Sequence, residues 1–190
     1  SFITIPFTKL NYVLSKKSGK GVIFYDDTYE YLKLLNFKDF HERQDQLLFT
    51  GQVKETGVGY RYGRKTFYEL ATMDKGKPPD FVSNTKAPYY SFAEQAEYKF
   101  ILSLSGAGAW TFYRMYGFLL GSLIFCQNAP QELWYYDQFK PMLHYVPVQE
   151  DLSDITQKLN WARENPEKAS AIAAEGRILA LEIFDPKVVL

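Results

Sequence analysis

The sequence predicts an α/β fold: a doubly wound, mostly parallel sheet of Rossmann-like type. Three observations lead there. Short apolar runs of strand length alternate along the chain with stretches of helical period. Small-residue or glycine turns close several of those runs. Strands that alternate with helices at this spacing imply βαβ units, whose crossovers join parallel strands and are right-handed in nearly all cases.

The elements follow in chain order. Gly21 to Tyr25 is a short apolar run that stops at Asp26-Asp27, and Thr28 to Leu35 reads as a helix with Tyr31, Leu34 and Leu35 on one face. Leu47 to Thr50 is a strand ended by Gly51. Arg64 to Met73 is helical, with Phe67, Leu70 and Ala71 at helical spacing, and Gly76-Lys77-Pro78-Pro79 breaks it. Asp80 to Val82 is a short strand. Ser91 to Ala96 is a short helix, with Ser91 as N-cap and Glu94 at the capping-box position. Tyr98 to Leu104 is a strand, Ser105 to Ala109 a small-residue turn, and Trp110 to Leu120 a helix that Gly121 ends. Ser122 to Phe125 is a strand, Gln131 to Phe139 a loop or short helix, and Leu143 to Val148 a further strand. Ser153 is the expected cap of a helix running to Glu164, with Asp154 in its first turn, where negative charge suits the dipole. After Asn165-Pro166, a last helix rich in Ala, Glu and Leu runs from Glu167 to about Phe184.

Composition narrows the function. Of 190 residues, 46% are hydrophobic and 23% charged, which is a globular and not a disordered composition. Lys plus Arg equals Asp plus Glu at 22 each, so the basic excess of a general nucleic-acid binder is missing. One cysteine, Cys126, excludes an internal disulfide scaffold and a Cys-based zinc cluster, and suits a reducing compartment. No apolar run approaches the ~20 residues of a membrane span. Ser1 to Leu10 lack the pattern of a signal peptide, so a cytoplasmic location is the expectation from composition alone. Aromatics reach 17%; most fill a core, and some are available to stack on sugar or base rings.

In open sheets of this type ligands bind outside the carboxyl ends of the strands, which directs attention to the turns after Thr50, Leu104, Phe125 and Val148. Ser105-Gly106-Ala107-Gly108-Ala109-Trp110-Thr111 follows a strand and opens a helix, so an anion can approach backbone N–H groups there. Thr111 adds a hydroxyl and Arg114, one turn on, a bidentate cation. The turn is neither a dinucleotide fingerprint nor a Walker loop, and a turn that merely packs helix on sheet has equal weight on spacing alone. Gly51 to Gly57 is a second glycine-containing loop with Arg61 and Arg64 just beyond it; by itself it reads as a surface loop with ordinary solvated arginines. The adjacent Asp26 and Asp27 suit a turn and a helix cap better than a metal site. His41 and His144 form no His-x-x-x-His or Cys/His cluster, and His144 reads as a half-buried histidine in an apolar strand. Cys126 reads as a buried inert thiol. There is no Gly-x-Ser-x-Gly elbow to support a hydrolase.

Taken together, several stretches resemble the protein O-glucosyltransferase family, with its capsule-associated and lipopolysaccharide-modifying relatives. Tyr98-Lys99-Phe100, Gly106 to Thr111, Arg114 and Leu120 to Phe125 are similar to the family's donor-site half. The most specific stretch is Phe139-Lys140-Pro141-Met142-Leu143-His144-Tyr145-Val146-Pro147-Val148, followed by Asp151-Leu152-Ser153-Asp154. Upstream, Phe49-Thr50-Gly51 with Thr56-Gly57 and a following Arg resembles the family's Phe-Arg-Gly loop. The resemblance covers about residues 45 to 183. Three departures stand out: Thr50 where the family usually has Arg, Met142 where it has Trp, and Arg114 displaced by one position.

The resemblance implies the donor half of a GT-B-like glycosyltransferase with a reduced or truncated acceptor half. Residues 1–45 would be the acceptor-side remnant and 46–190 the nucleotide-sugar-binding domain. It implies transfer of glucose or xylose from a UDP-sugar to a hydroxyl on a glycan or protein, inverting and without a required divalent metal or other cofactor. Gly51, Thr56, Arg61, Ser105, Gly106, Gly108, Trp110, Thr111, Arg114, His144, Tyr145 and Pro147 would bind the donor. The family's catalytic base lies in its N-terminal domain and has no assignable counterpart among these residues. Animal members work in the secretory pathway, which stands against the cytoplasmic expectation. Two other readings are carried: a catalytically silent nucleotide-sugar or carbohydrate-binding module, and an unrelated flavodoxin-like binding domain.

Overall fold

The computed structural model describes residues 25–53, 63–86, 88–105, 112–128 and 135–189. Five strands form one sheet in the order β2-β1-β3-β4-β5, and every pairing is parallel. The strands are β1 (Gln44–Thr50), β2 (Phe81–Asn84), β3 (Tyr98–Ser103), β4 (Leu123–Gln127) and β5 (Val146–Val148). The helices are α1 (Tyr25–Leu34), α2 (Arg64–Met73), α3 (Phe92–Gln95), α4 (Phe112–Leu119), α5 (Ile155–Glu164), α6 (Pro166–Ile183) and α7 (Pro186–Val189).

The alternation of side chains along each strand feeds two cores, one on each face. Leu47 and Phe49, Phe100 and Leu102, Leu123 and Phe125, and Val146 and Val148 point to one side, where Phe67 of α2 and Ile155, Leu159 and Ala162 of α5 cover them. Ile101, Ile124 and Cys126 point to the other, under Tyr116, Phe118 and Leu119 of α4 and Tyr29 and Leu32 of α1. This two-sided burial is why the central strands read as continuous apolar runs. α6 joins both cores: Ala169, Ile172 and Ala173 enter the first, and Ala180 and Ile183 the second. Where it crosses, Gly176 lies so close to the His144 carbonyl that a Cβ would sit 2.5 Å from that oxygen.

Three local expectations are corrected. α1 buries Tyr29 and Leu32, while Tyr31 and Leu34 are 48% and 77% exposed. The buried face is tied down by Tyr29, whose hydroxyl donates to Leu181 O at 2.6 Å. The last strand is three residues long and begins at Val146, not Leu143. Lys140 to Tyr145 instead forms a turn, with Met142 at φ 60° and an isolated bridge between Pro141 and Tyr145. Asp154, not Ser153, is the residue before α5, and its side chain makes no cap bond. Asp154 Oδ1 accepts from Gln149 N, and Ser153 N donates to Asp151. By contrast, Ser91 and Glu94 form the complete capping box expected of them.

Candidate functional site

The crevice at the carboxyl edge of the sheet is set by connectivity. From β1 the chain leaves over one face through α2 to β2; from β3 it leaves over the other face through α4 to β4. The two exits diverge and leave a gap between the ends of β1 and β3, the topological switch point at which open α/β sheets take their ligands. The four turns that sequence singles out therefore reduce to two: the one after Thr50 and the one after Leu104.

Both turns are anchored at their described ends. Gly51 N donates to Asn84 O at 3.1 Å, which holds the first turn against β2. Arg64, in the first turn of α2, spans the gap. Its Nε donates to Ser105 O at 2.8 Å and its Nη1 to Gln52 O at 2.9 Å, while the guanidinium lies 5.5 Å from the centre of the Phe49 ring. One planar cation thus ties the exit of β1 to the exit of β3. Gln127, at the end of β4 and 2% exposed, fastens the other flank. Its Oε1 accepts from Ser105 N at 3.0 Å, and its Nε2 donates to Glu150 O at 2.6 Å. Gly63, in the left-handed region at φ 90°, lets the start of α2 approach that amide; a Cβ there would stand 2.6 Å from Gln127 Nε2.

At the crevice wall, Thr50 Oγ1 is buried with no hydrogen-bond partner among the described residues. A hydroxyl in that condition costs stability unless something bonds it, and it stands at the last residue of β1.

Of the sequence-predicted donor residues, Gly51 and Ser105 come together here through Arg64. Arg114 lies on α4, the helix that follows the second turn, its side chain outside the described atoms. Thr56, Arg61, Gly106, Gly108, Trp110 and Thr111 lie outside the described residues. His144 does not stand at the carboxyl edge: it precedes β5, in the turn on that strand's amino side. Its Nδ1 accepts from Lys140 N at 2.8 Å, and burial holds its pKa below the ordinary 6.5. Tyr145 lines a cavity of about 50 Å³ with Phe118, Cys126, Tyr135, Tyr136 and Phe139. Pro147 sits in mid-strand opposite Cys126. Arg64 and Gln127 are the residues sequence reasoning passed over. Arg64 carried a signal, a cation in the first turn of the helix after a glycine loop, but read as a solvated side chain. Gln127 carried none.

No group of three or more His, Cys, Asp or Glu side chains is arranged to hold a metal among the described residues. No helix among them is long and apolar enough to cross a membrane.

A five-stranded parallel sheet with helices on both faces, and a ligand crevice between the exits of β1 and β3, defines an α/β protein of Rossmann-like class. The strand order is shared with flavodoxin-like folds, so the order alone does not choose among ligands. The sequence does: residues 42–189 match the model of glycosyl transferase family 90, and the chain belongs to that family.

Relatives agree with that membership. The chain is 36% identical over 102 residues to protein O-glucosyltransferase 3 of Homo sapiens, which covers 53% of this chain and 20% of that protein. It is 35% identical over 133 residues to protein O-glucosyltransferase 1 of Rattus norvegicus, covering 70% of this chain and 32% of that one. With protein O-glucosyltransferase 2 of Danio rerio it shares 32% identity over 93 residues, 48% of this chain and 18% of the relative. The chain therefore spans a third or less of the length of these relatives.

Proposed function

We propose that this chain forms the donor-sugar half of a glycosyltransferase that moves glucose or xylose from a UDP-sugar to a hydroxyl of a glycan or protein. The single observation that supports this reading most is the switch-point crevice between the exits of β1 and β3, which Arg64 joins, in a chain that belongs to a glycosyltransferase family. Transfer needs a sugar held in line, a base for the acceptor hydroxyl, and stabilisation of the departing diphosphate. The chain's contribution is the third. The turn from Ser105 to Thr111 offers backbone and hydroxyl donors to the diphosphate, and Arg114 neutralises charge as it develops on the leaving group. Arg64 keeps the two walls at a fixed spacing and presents positive charge beside them. Thr50 Oγ1, short of a partner, is available to bond the donor. In this scheme cationic side chains and helix N-terminal N–H groups do the work that a divalent cation does elsewhere, and the reaction inverts at the anomeric carbon. The base comes from outside the residues assigned here.

Calorimetric titration of UDP tests the reading. Arg114→Ala should weaken UDP binding by about 1.5–3 kcal/mol, the size of a lost hydrogen bond to a charged group. Equal affinities for wild type and variant would remove Arg114 from the site. Release of UDP from UDP-glucose and UDP-xylose, with hydroxyl acceptors present, then separates an enzyme from a silent binding module: binding without turnover is the module's signature.

A further inference from the structure

At the amino end of the sheet, opposite the switch-point crevice, lies a second cleft of about 350 Å³. Leu35, Phe37, Arg43, Gly121, Ser170 and Arg177 are among its lining residues. Two guanidinium groups share it. Arg43 is 7% exposed, an unusual degree of burial for a cation. Its Nε donates to Lys38 O, and its Nη1 to Leu120 O and Ser122 Oγ. Arg177 Nε donates to Leu119 O at 3.1 Å. Both guanidinium carbons lie 5.4 Å from the centre of the Phe37 ring.

These bonds satisfy carbonyls and one hydroxyl, not charge. Among the described residues, no carboxylate forms an ion pair with either arginine. The acidic groups whose field reaches Arg43 are Asp39 and Glu97. Asp39 is committed to His41 N, and Glu97 to Lys38. Burial and the Arg177 charge hold Arg43 below the ordinary arginine value, and burial does the same for Arg177. Two like charges, one almost fully buried, are thus held side by side with their outer N–H groups uncommitted to any acid. The spacing is kept open by Gly121, at φ 69° behind α4: a Cβ there would stand 3.5 Å from Arg43 Nη2 and 3.8 Å from Arg177 Nε.

We propose that this cleft is an anion site for a phosphate group, free or carried as a monoester, clamped between Arg43 and Arg177 with the Ser170 hydroxyl at its rim. A tetrahedral dianion can accept from Arg43 Nη2 and from the Nη groups of Arg177, and it cancels the repulsion between the two cations. The Phe37 ring, which lines the cleft beside both cations, gives an organic ester an apolar surface to lie on.

The test is titration of inorganic phosphate and of phenyl phosphate into the chain at constant ionic strength, read by calorimetry and thermal shift. Saturable binding is expected, and Arg177→Gln should weaken it at least tenfold. Tighter binding of phenyl phosphate assigns the cleft to a monoester, and equal binding to free phosphate. Because Arg43 is almost fully buried and bonds Lys38 O, Leu120 O and Ser122 Oγ, its removal is a poor probe; Ser170→Glu is a safer second one. That carboxylate should satisfy the arginines from within the chain and abolish phosphate binding while the melting temperature holds or rises. Absence of saturable binding, or unchanged affinity in Arg177→Gln and Ser170→Glu, would overturn the proposal.

Discussion

Replacing Arg64 by Met tests whether one side chain holds the crevice in shape. The substitution keeps the aliphatic stem and removes the guanidinium. Three interactions among the described residues go with it. The bond to Ser105 O is half-buried and charge-assisted, and its loss costs about 1.5 kcal/mol. The bond to Gln52 O faces solvent, where water takes over, and counts for less than about 0.5 kcal/mol. The contact with the Phe49 ring adds about 0.5 kcal/mol. The sum, about 2 kcal/mol, corresponds in a chain of this size to a fall of about 4–8 °C in melting temperature. Urea unfolding measures the free energy, and amide exchange at Ser105 and Gln52 locates it: both ends should exchange faster while the middle of β3 does not. Arg64→Lys should recover about half at most, because an ammonium is a point charge and cannot fork to two carbonyls. A stability change below about 0.5 kcal/mol with unaltered exchange at both turns would refute the bridging role.

Three further outcomes are expected. Thr50→Val, which trades an unpartnered hydroxyl for a methyl of the same shape, should leave the free protein as stable or up to about 1 kcal/mol more stable, yet weaken UDP binding; calorimetry and urea unfolding on the same samples check both halves. Gly176→Ala should destabilise by about 1–3 kcal/mol despite alanine's better helix propensity, since its Cβ would meet the His144 carbonyl, and thermal unfolding decides the sign. His144 is held below 6.5 in the folded chain by burial, while the Glu175 charge opposes and the Lys140 charge assists. The unfolded chain therefore binds the proton more readily, so stability is full above pH 6.5 and falls as pH drops through 6.5 toward the folded value. His144→Asn should flatten that segment of a stability–pH curve.

Local chemistry was the legible part of the sequence. α2 runs from Arg64 to Met73 as its period and flanking breaks predict, and the Ser91–Glu94 cap forms as spacing requires. Apolar runs closed by small-residue turns located the strands. What was hidden depends on contacts far apart in sequence. The order β2-β1-β3-β4-β5 follows from how crossovers stack over each face, and no residue in either turn encodes that β1 and β3 end side by side. Arg64 looked like any solvated arginine because its partners, Gln52 O and Ser105 O, are backbone atoms of two other segments. His144 looked like part of a strand because the run after it is apolar; the His144 ring instead accepts the Lys140 N–H and closes a turn. On α1 the apolar residues lie on more than one face, and only docking against α4 and α6 selects Tyr29 and Leu32 over Tyr31 and Leu34.

α6 gives the molecule a mechanical property that its sheet alone would lack. Sheets covered on two sides have two apolar reservoirs, and each could in principle melt separately. Here one rod is rooted in both, through Ala169, Ile172 and Ala173 at one end and Ala180 and Ile183 at the other. Peeling it away floods both reservoirs at once, so neither side survives as a half-molten remnant, and loss of order on one side is felt immediately on the other.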